Sequence, residues 1–112
     1  MNNITHIIIR GRRWPDKYGN TYHTTETSVV YWNGKVTTIK TPGNSLVYDY
    51  GYGDHYVTTA LAWLVDAKIL PDRAMVEGLK AQPSDRWDWR SLSEHGIELT
   101  RSAVDVRLRG DL

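Results

Sequence analysis

Three observations predict an α+β fold with a small antiparallel sheet and one main helix packed on a face. Runs of β-branched and aromatic residues, punctuated by turn residues, fill the chain from Ile4 to Thr41. Asn33-Gly34 separates two of these runs. A stripe of apolar residues with helical spacing follows: Val57, Ala60, Leu61, Leu64 and Val65.

The elements follow in order. Ile4 to Arg10 reads as a first strand ending at Gly11. Gly11 to Asn20 holds Pro15 and Gly19-Asn20 and reads as a basic, turn-rich loop. Thr21–Trp32 and Lys35–Thr41 read as a hairpin, because Asn-Gly suits a type I′ turn that needs positive φ at both central residues. That two-residue loop would set Trp32 opposite Lys35, Tyr31 opposite Val36 and Val29 opposite Thr38. Pro42 to Ser45 is a turn, and Leu46–Tyr50 a short strand. Asp54 is a good N-cap for a helix running to about Lys68. Pro71-Asp72 opens a shorter helix to about Lys80, weakened by Gly78. Ser91 to Glu94 fits a capping box and Gly96 a C′ residue, giving a short helix over Leu92–His95. In the last segment Ile97 and Leu99 share one parity, while Val104, Val106 and Leu108 share the other. Period two cannot place both sets on one face. A turn near Arg101-Ser102 is therefore expected, with a final strand over Ala103–Arg109, joining the N-terminal strand and the hairpin in the sheet.

Composition narrows the function classes. The chain has 112 residues, enough for one domain, and a net charge of +1. A phosphate-driven binder or an acidic nucleic-acid mimic would carry a larger imbalance. Cysteine is absent, which removes thiolate metal sites and thiol nucleophiles. The Met1–Arg13 segment lacks a signal-peptide layout and no apolar run is long enough to span a membrane, so a cytoplasmic protein without membrane contact is expected. His6, His23, His55 and His95 stand in separate segments without metal-ligand spacing, so neither a metal nor another cofactor is expected. Seven Tyr and five Trp with no Phe favour half-buried positions and interfaces over a dry interior.

Two segments concentrate contact chemistry. Arg10, Arg12, Arg13, Trp14, Lys17 and Tyr18 lie close together, followed by Tyr22 and His23. Trp, Tyr and Arg are the residues enriched in protein hot spots. Tyr48, Tyr50, Tyr52 and Tyr56 gather around Gly51 and Gly53, and Tyr with Gly is what adaptable binding loops use. Arg12, Arg13, Trp14, Tyr18, Tyr50 and Tyr52 are therefore the candidate partner-binding residues. The alternative is a nucleic-acid surface made of Arg10, Arg12, Arg13, Lys17, Arg107 and Arg109, where cations meet phosphates and rings stack on bases. A small enzyme using Asp54 and His55 is a further alternative. Against it, Asp54 reads first as a cap. Gly51 and Gly53 suggest a phosphate cradle, but the P-loop lysine is missing and Asp54 repels an anion. Trp87 and Trp89 form a third aromatic candidate, as contacts or as lids over the core.

The segments Gly11-Arg12-Arg13-Trp14…Gly19-Asn20-Thr21-Tyr22-His23 and Tyr50-Gly51-Tyr52-Gly53-Asp54-His55-Tyr56…Thr59-Ala60 resemble a group of small proteins of tailed bacteriophages and prophages. The resemblance covers about the first two-thirds of the chain, and Pro15 stands where a second aromatic is expected. It implies a phage accessory protein without a defined activity, whose partner would be a host protein or complex, such as a defence or nucleic-acid-processing assembly.

Overall fold

The computed structural model describes residues 3–41, 49–50, 55–78 and 86–108. The elements are β1 (Ile4–Pro15), β2 (Thr21–Tyr31), β3 (Val36–Thr41), β4 (Asp49–Tyr50), α1 (His55–Asp66), α2 (Arg73–Val76), α3 (Trp89–Glu94) and β5 (Glu98–Asp105). The fold is α+β, but the sheet is mixed. Its order is β3-β2-β1-β5, with β4 also pairing β2. β1, β2 and β3 are antiparallel neighbours, whereas β5 runs parallel to β1. The antiparallel sheet expected from the sequence is corrected here for a physical reason. After β4 the chain passes through the helices before it returns to the sheet, and such a crossover delivers a parallel strand.

β1 does not stop at Gly11. It continues to Pro15 and pairs with both β2 and β5 over most of that length. The loop shrinks to the turn around Asp16–Asn20, where the Asp16 carboxylate accepts bonds from the Tyr18 and Asn20 amides, each at 2.9 Å. Gly11 looked like a breaker but is a packing gap, since the Tyr56 ring lies where its Cβ would stand.

The β2–β3 connection differs from the expected two-residue turn. Val30 pairs with Val36 and Val29 with Thr37, one residue out of the predicted register. The Tyr31 amide donates to the Lys35 carbonyl, and the Gly34 amide to the Tyr31 carbonyl, both at 2.9 Å. Gly34 has φ +86° and Asn33 is not in the left-handed region. This is a three-residue loop, a type I turn closed by a glycine bulge. The Asn33 side chain accepts from the Lys35 amide, which holds Asn33 in that role.

α1 buries Tyr56, Val57, Ala60, Leu61 and Leu64. Its end is a Schellman motif: the Lys68 amide donates to the Val65 carbonyl, and the Ile69 amide to the Leu64 carbonyl. Lys68 occupies the left-handed position at φ +61°. α2 ends at Val76 and not near Lys80, with Gly78 at φ +67° beyond it. α3 begins at Trp89, because Asp88 and not Ser91 is the N-cap. Ser91 takes the N3 position and its hydroxyl accepts from the Asp88 amide. Gly96 follows the C-cap residue with φ +76°.

β5 is continuous, without the turn expected near Arg101-Ser102. The parity conflict is resolved by exposure: Ile97 is buried and Leu99 and Ala103 half-buried, while Val104 is 58% exposed. The strand ends at Asp105, so Arg107 lies beyond it and Arg109 outside the described residues.

One core joins the sheet to the helices. It holds Ile7, Ile9 and Val29 of the sheet with Leu64, Leu70, Trp87, Leu92 and Ile97. Strand side chains alternate between faces, so this core claims one face only. A register shift between Ile4 and His6 brings Ile4 onto the same side. No described helix is long and apolar enough to cross a membrane.

Candidate functional site

From His6 onward, alternation sends the even residues of β1 to the face opposite the core. That face carries His6, Ile8, Arg10, Arg12 and Trp14. Their register partners on β2 are Val30, Ser28, Glu26, Thr24 and Tyr22. The sequence cluster of cations and aromatics is thus a strand, and its members are divided between two environments.

At the end of this face Trp14 and Tyr22 stand opposite each other. Their rings stack with centroids 5.7 Å apart and planes at 24°. Both are half-buried. The Trp14 indole N–H donates to the Arg107 carbonyl at 3.2 Å, and the Val106 amide to the Arg13 carbonyl at 2.7 Å. These bonds fix the segment after β5 alongside the end of β1. Arg12 is exposed and faces Val104 on β5. Tyr18, at the tip of the adjoining turn, is 77% exposed, with Lys17 Nζ 5.1 Å from its ring centroid.

β4 reaches the same end of the sheet. Tyr50 pairs with Tyr22 and Asp49 with His23. Trp14, Tyr22 and Tyr50 therefore occupy one row across three strands, which joins the two aromatic segments picked from the sequence. Tyr52 and Asp54 lie outside the described residues, as does the glycine turn between Tyr50 and the helix.

Arg13 belongs to the opposite face. Its Nε donates to the Asp105 carboxylate at 2.9 Å, which makes it a cross-strand clamp. Arg10 lies in an ionic row, with Glu26 at 3.4 Å and Lys40 at 3.8 Å from the same carboxylate. Two cations of the proposed nucleic-acid set, Arg10 and Arg13, are thus each matched to an acid.

Beside Arg13 on the core face, His23 is 1% exposed and its Nε2 lies 2.8 Å from Thr59 Oγ1. The His55 ring, at the start of α1, lies 5.6 Å from the His23 ring. His55 thus meets a second histidine, His23, which the sequence spacing does not pair with it. A groove of about 230 Å³ lies between α1 and Asp72, Arg73, Arg86 and Trp87; of the sequence candidates it includes Trp87 and none of the partner-binding or nucleic-acid set. Among the described residues no group of three or more acidic or histidine side chains is arranged for a metal.

Of the other aromatics, Tyr56 is buried against Gly11 and Trp87 in the core, while Trp89 is 61% exposed on α3. Tyr22, noted in the sequence only as following the cluster, and Val104 are the residues that the sheet sets beside Trp14 and Arg12. Period-two alternation carried through Gly11 would have found Tyr22. Val104 needed the parallel register of β5.

Comparisons with protein-family models, with curated proteins and with solved structures find no match.

Proposed function

We propose that the chain is a non-enzymatic binding protein that acts by protein–protein contact, using the sheet end where Trp14 stacks on Tyr22. That half-exposed pair carries the reading. Arg12 and Val104 flank it, and Tyr18 projects beside it. Rigid aromatic rings next to an arginine and an apolar side chain are what a hot spot needs, because ring area is gained at little entropic cost. Arg12 would meet a carboxylate of the partner. Arg13 acts one step behind the surface, holding β5 to β1.

Protein contact is preferred over phosphate binding because Arg10 and Arg13 are engaged by Glu26 and Asp105. The net charge of +1 points the same way. The resemblance of the Gly11–His23 and Tyr50–Ala60 segments to tailed-phage proteins supports a viral accessory role. The partner is then a host protein, in a defence or nucleic-acid-processing complex.

Affinity capture from infected-cell lysate tests this. A host protein should be retained by the native chain and lost with Trp14→Ala and with Arg12→Ala, both of which stay folded by circular dichroism. Retention of an oligonucleotide that weakens steeply with salt, with no protein captured, would replace the reading with the nucleic-acid one.

A further inference from the structure

β3 is the terminal strand of the sheet. The Lys35 carbonyl accepts from the Tyr31 amide, so odd residues of this strand turn their backbone groups towards β2. Val36, Thr38 and Lys40 consequently aim their N–H and C=O groups outward, and no described residue pairs with them there. Such a row is a template on which another extended backbone can pair.

The side chains specify that occupant further. Three cross-strand rows on the open face end at this edge. Arg10, Glu26 and Lys40 alternate in sign, and the Lys40 side chain is 75% exposed. The next position in that row calls for a carboxylate. Ser28 and Thr38 form a hydroxyl row with oxygens 3.2 Å apart. Val30 and Val36 form an apolar row that ends in a Val36 that is 57% exposed, close to Trp32, itself 70% exposed.

We propose that the outer edge of β3 accepts an antiparallel strand from a partner protein. The incoming strand carries a carboxylate opposite Lys40, a hydroxyl opposite Thr38 and an apolar residue opposite Val36. Antiparallel is the direction in which β2 already engages β3, and it gives the stronger ladder. This surface is separate from the Trp14–Tyr22 end, so the inference stands or falls independently of that reading.

The test is residue-resolved amide exchange on the whole chain with a short synthetic peptide containing Glu-Val-Thr-Val-Val. In the free protein the Val36, Thr38 and Lys40 amides should exchange fast while Thr37 and Ile39 are protected. The peptide should slow the first set. Lys40→Glu should move the preference to the Lys-for-Glu peptide by up to about fivefold, the range of one cross-strand charge pair. Thr38→Pro should abolish binding and keep the fold, since its amide points away from β2. Slow exchange of the three amides in the free protein would overturn the inference, as would unchanged exchange with peptide. Protection that rises with protein concentration alone would assign the edge to a second copy and overturn the proposed occupant.

Discussion

Gly11 is the position where the packing makes its sharpest demand. It lies in β1 between Thr25 and Ala103, under the ring of Tyr56, which is 3% exposed. A Cβ added there would stand 2.6 Å from Tyr56 Cδ2 and 2.8 Å from Cγ. Carbon atoms in contact prefer separations of about 3.5–4.0 Å. The ring would have to retreat by roughly 1 Å, and it belongs to the first turn of α1, so the helix must tilt or the side chain leave its rotamer. Overpacking of this kind costs about 1–3 kcal/mol, and the close approach of two ring atoms places Gly11→Ala in the upper half of that range. For a chain of this size that is a melting-point loss on the order of 10 °C. The assay is a double-mutant cycle by urea unfolding. Tyr56→Ala alone should cost about 3–5 kcal/mol by loss of buried ring area. In the Tyr56→Ala background Gly11→Ala should become neutral or favourable by about 0.5–1 kcal/mol, because alanine suits a strand better than glycine. Additive costs in the double variant would refute the account of why Gly11 is glycine.

Three further outcomes are expected. Among the described residues the buried Thr27 hydroxyl has no hydrogen-bond partner, so Thr27→Val should raise stability by about 1 kcal/mol in the same unfolding assay. Lys68 holds a left-handed backbone at φ +61°, so Lys68→Gly should raise stability by about 0.5–1 kcal/mol, whereas Lys68→Ala should not. The Ser91 amide bonded to Asp88, opposed by some desolvation, holds the Asp88 carboxyl below its usual value. A lowered folded value means that this stabilisation is full above the unfolded value of about 3.9 and lost as pH falls through the folded one. Asp88→Asn should retain the cap bond and flatten the acid limb of stability against pH, while Asp88→Ala should lose about 0.5–2 kcal/mol at neutral pH.

How much of this was legible in the sequence depended on how local each determinant is. The α+β class and the buried stripe of α1 follow from periodicity, which one segment carries by itself. The hairpin register did not, because Asn-Gly serves either a two-residue turn or a glycine bulge. The choice is made by where the Tyr31 amide finds its acceptor. Ser91 misled for a similar reason: it is a good cap by type, but Asp88 lies where the cap geometry falls. Gly11 suggests a strand end locally, since its reason for being glycine is a ring forty-five positions further along the chain. The parallel direction of β5 was invisible locally, and with it the place of Val104 beside Arg12. The candidate site fared likewise. Arg12, Trp14 and Tyr18 stand where a partner can reach them. Arg13 belongs to a clamp with Asp105 on the other face, a division that only the strand's alternation reveals.

The central claim is that the Trp14–Tyr22 end of the sheet is the partner-contact surface. Its most direct test compares two tryptophans by titration against the captured partner. Trp14→Ala should weaken binding by at least about 2 kcal/mol, or roughly thirtyfold, as a hot-spot residue does. Trp89→Ala, which removes the exposed ring on α3, should leave affinity within about twofold. Equal losses, or a larger loss at Trp89, would contradict the account.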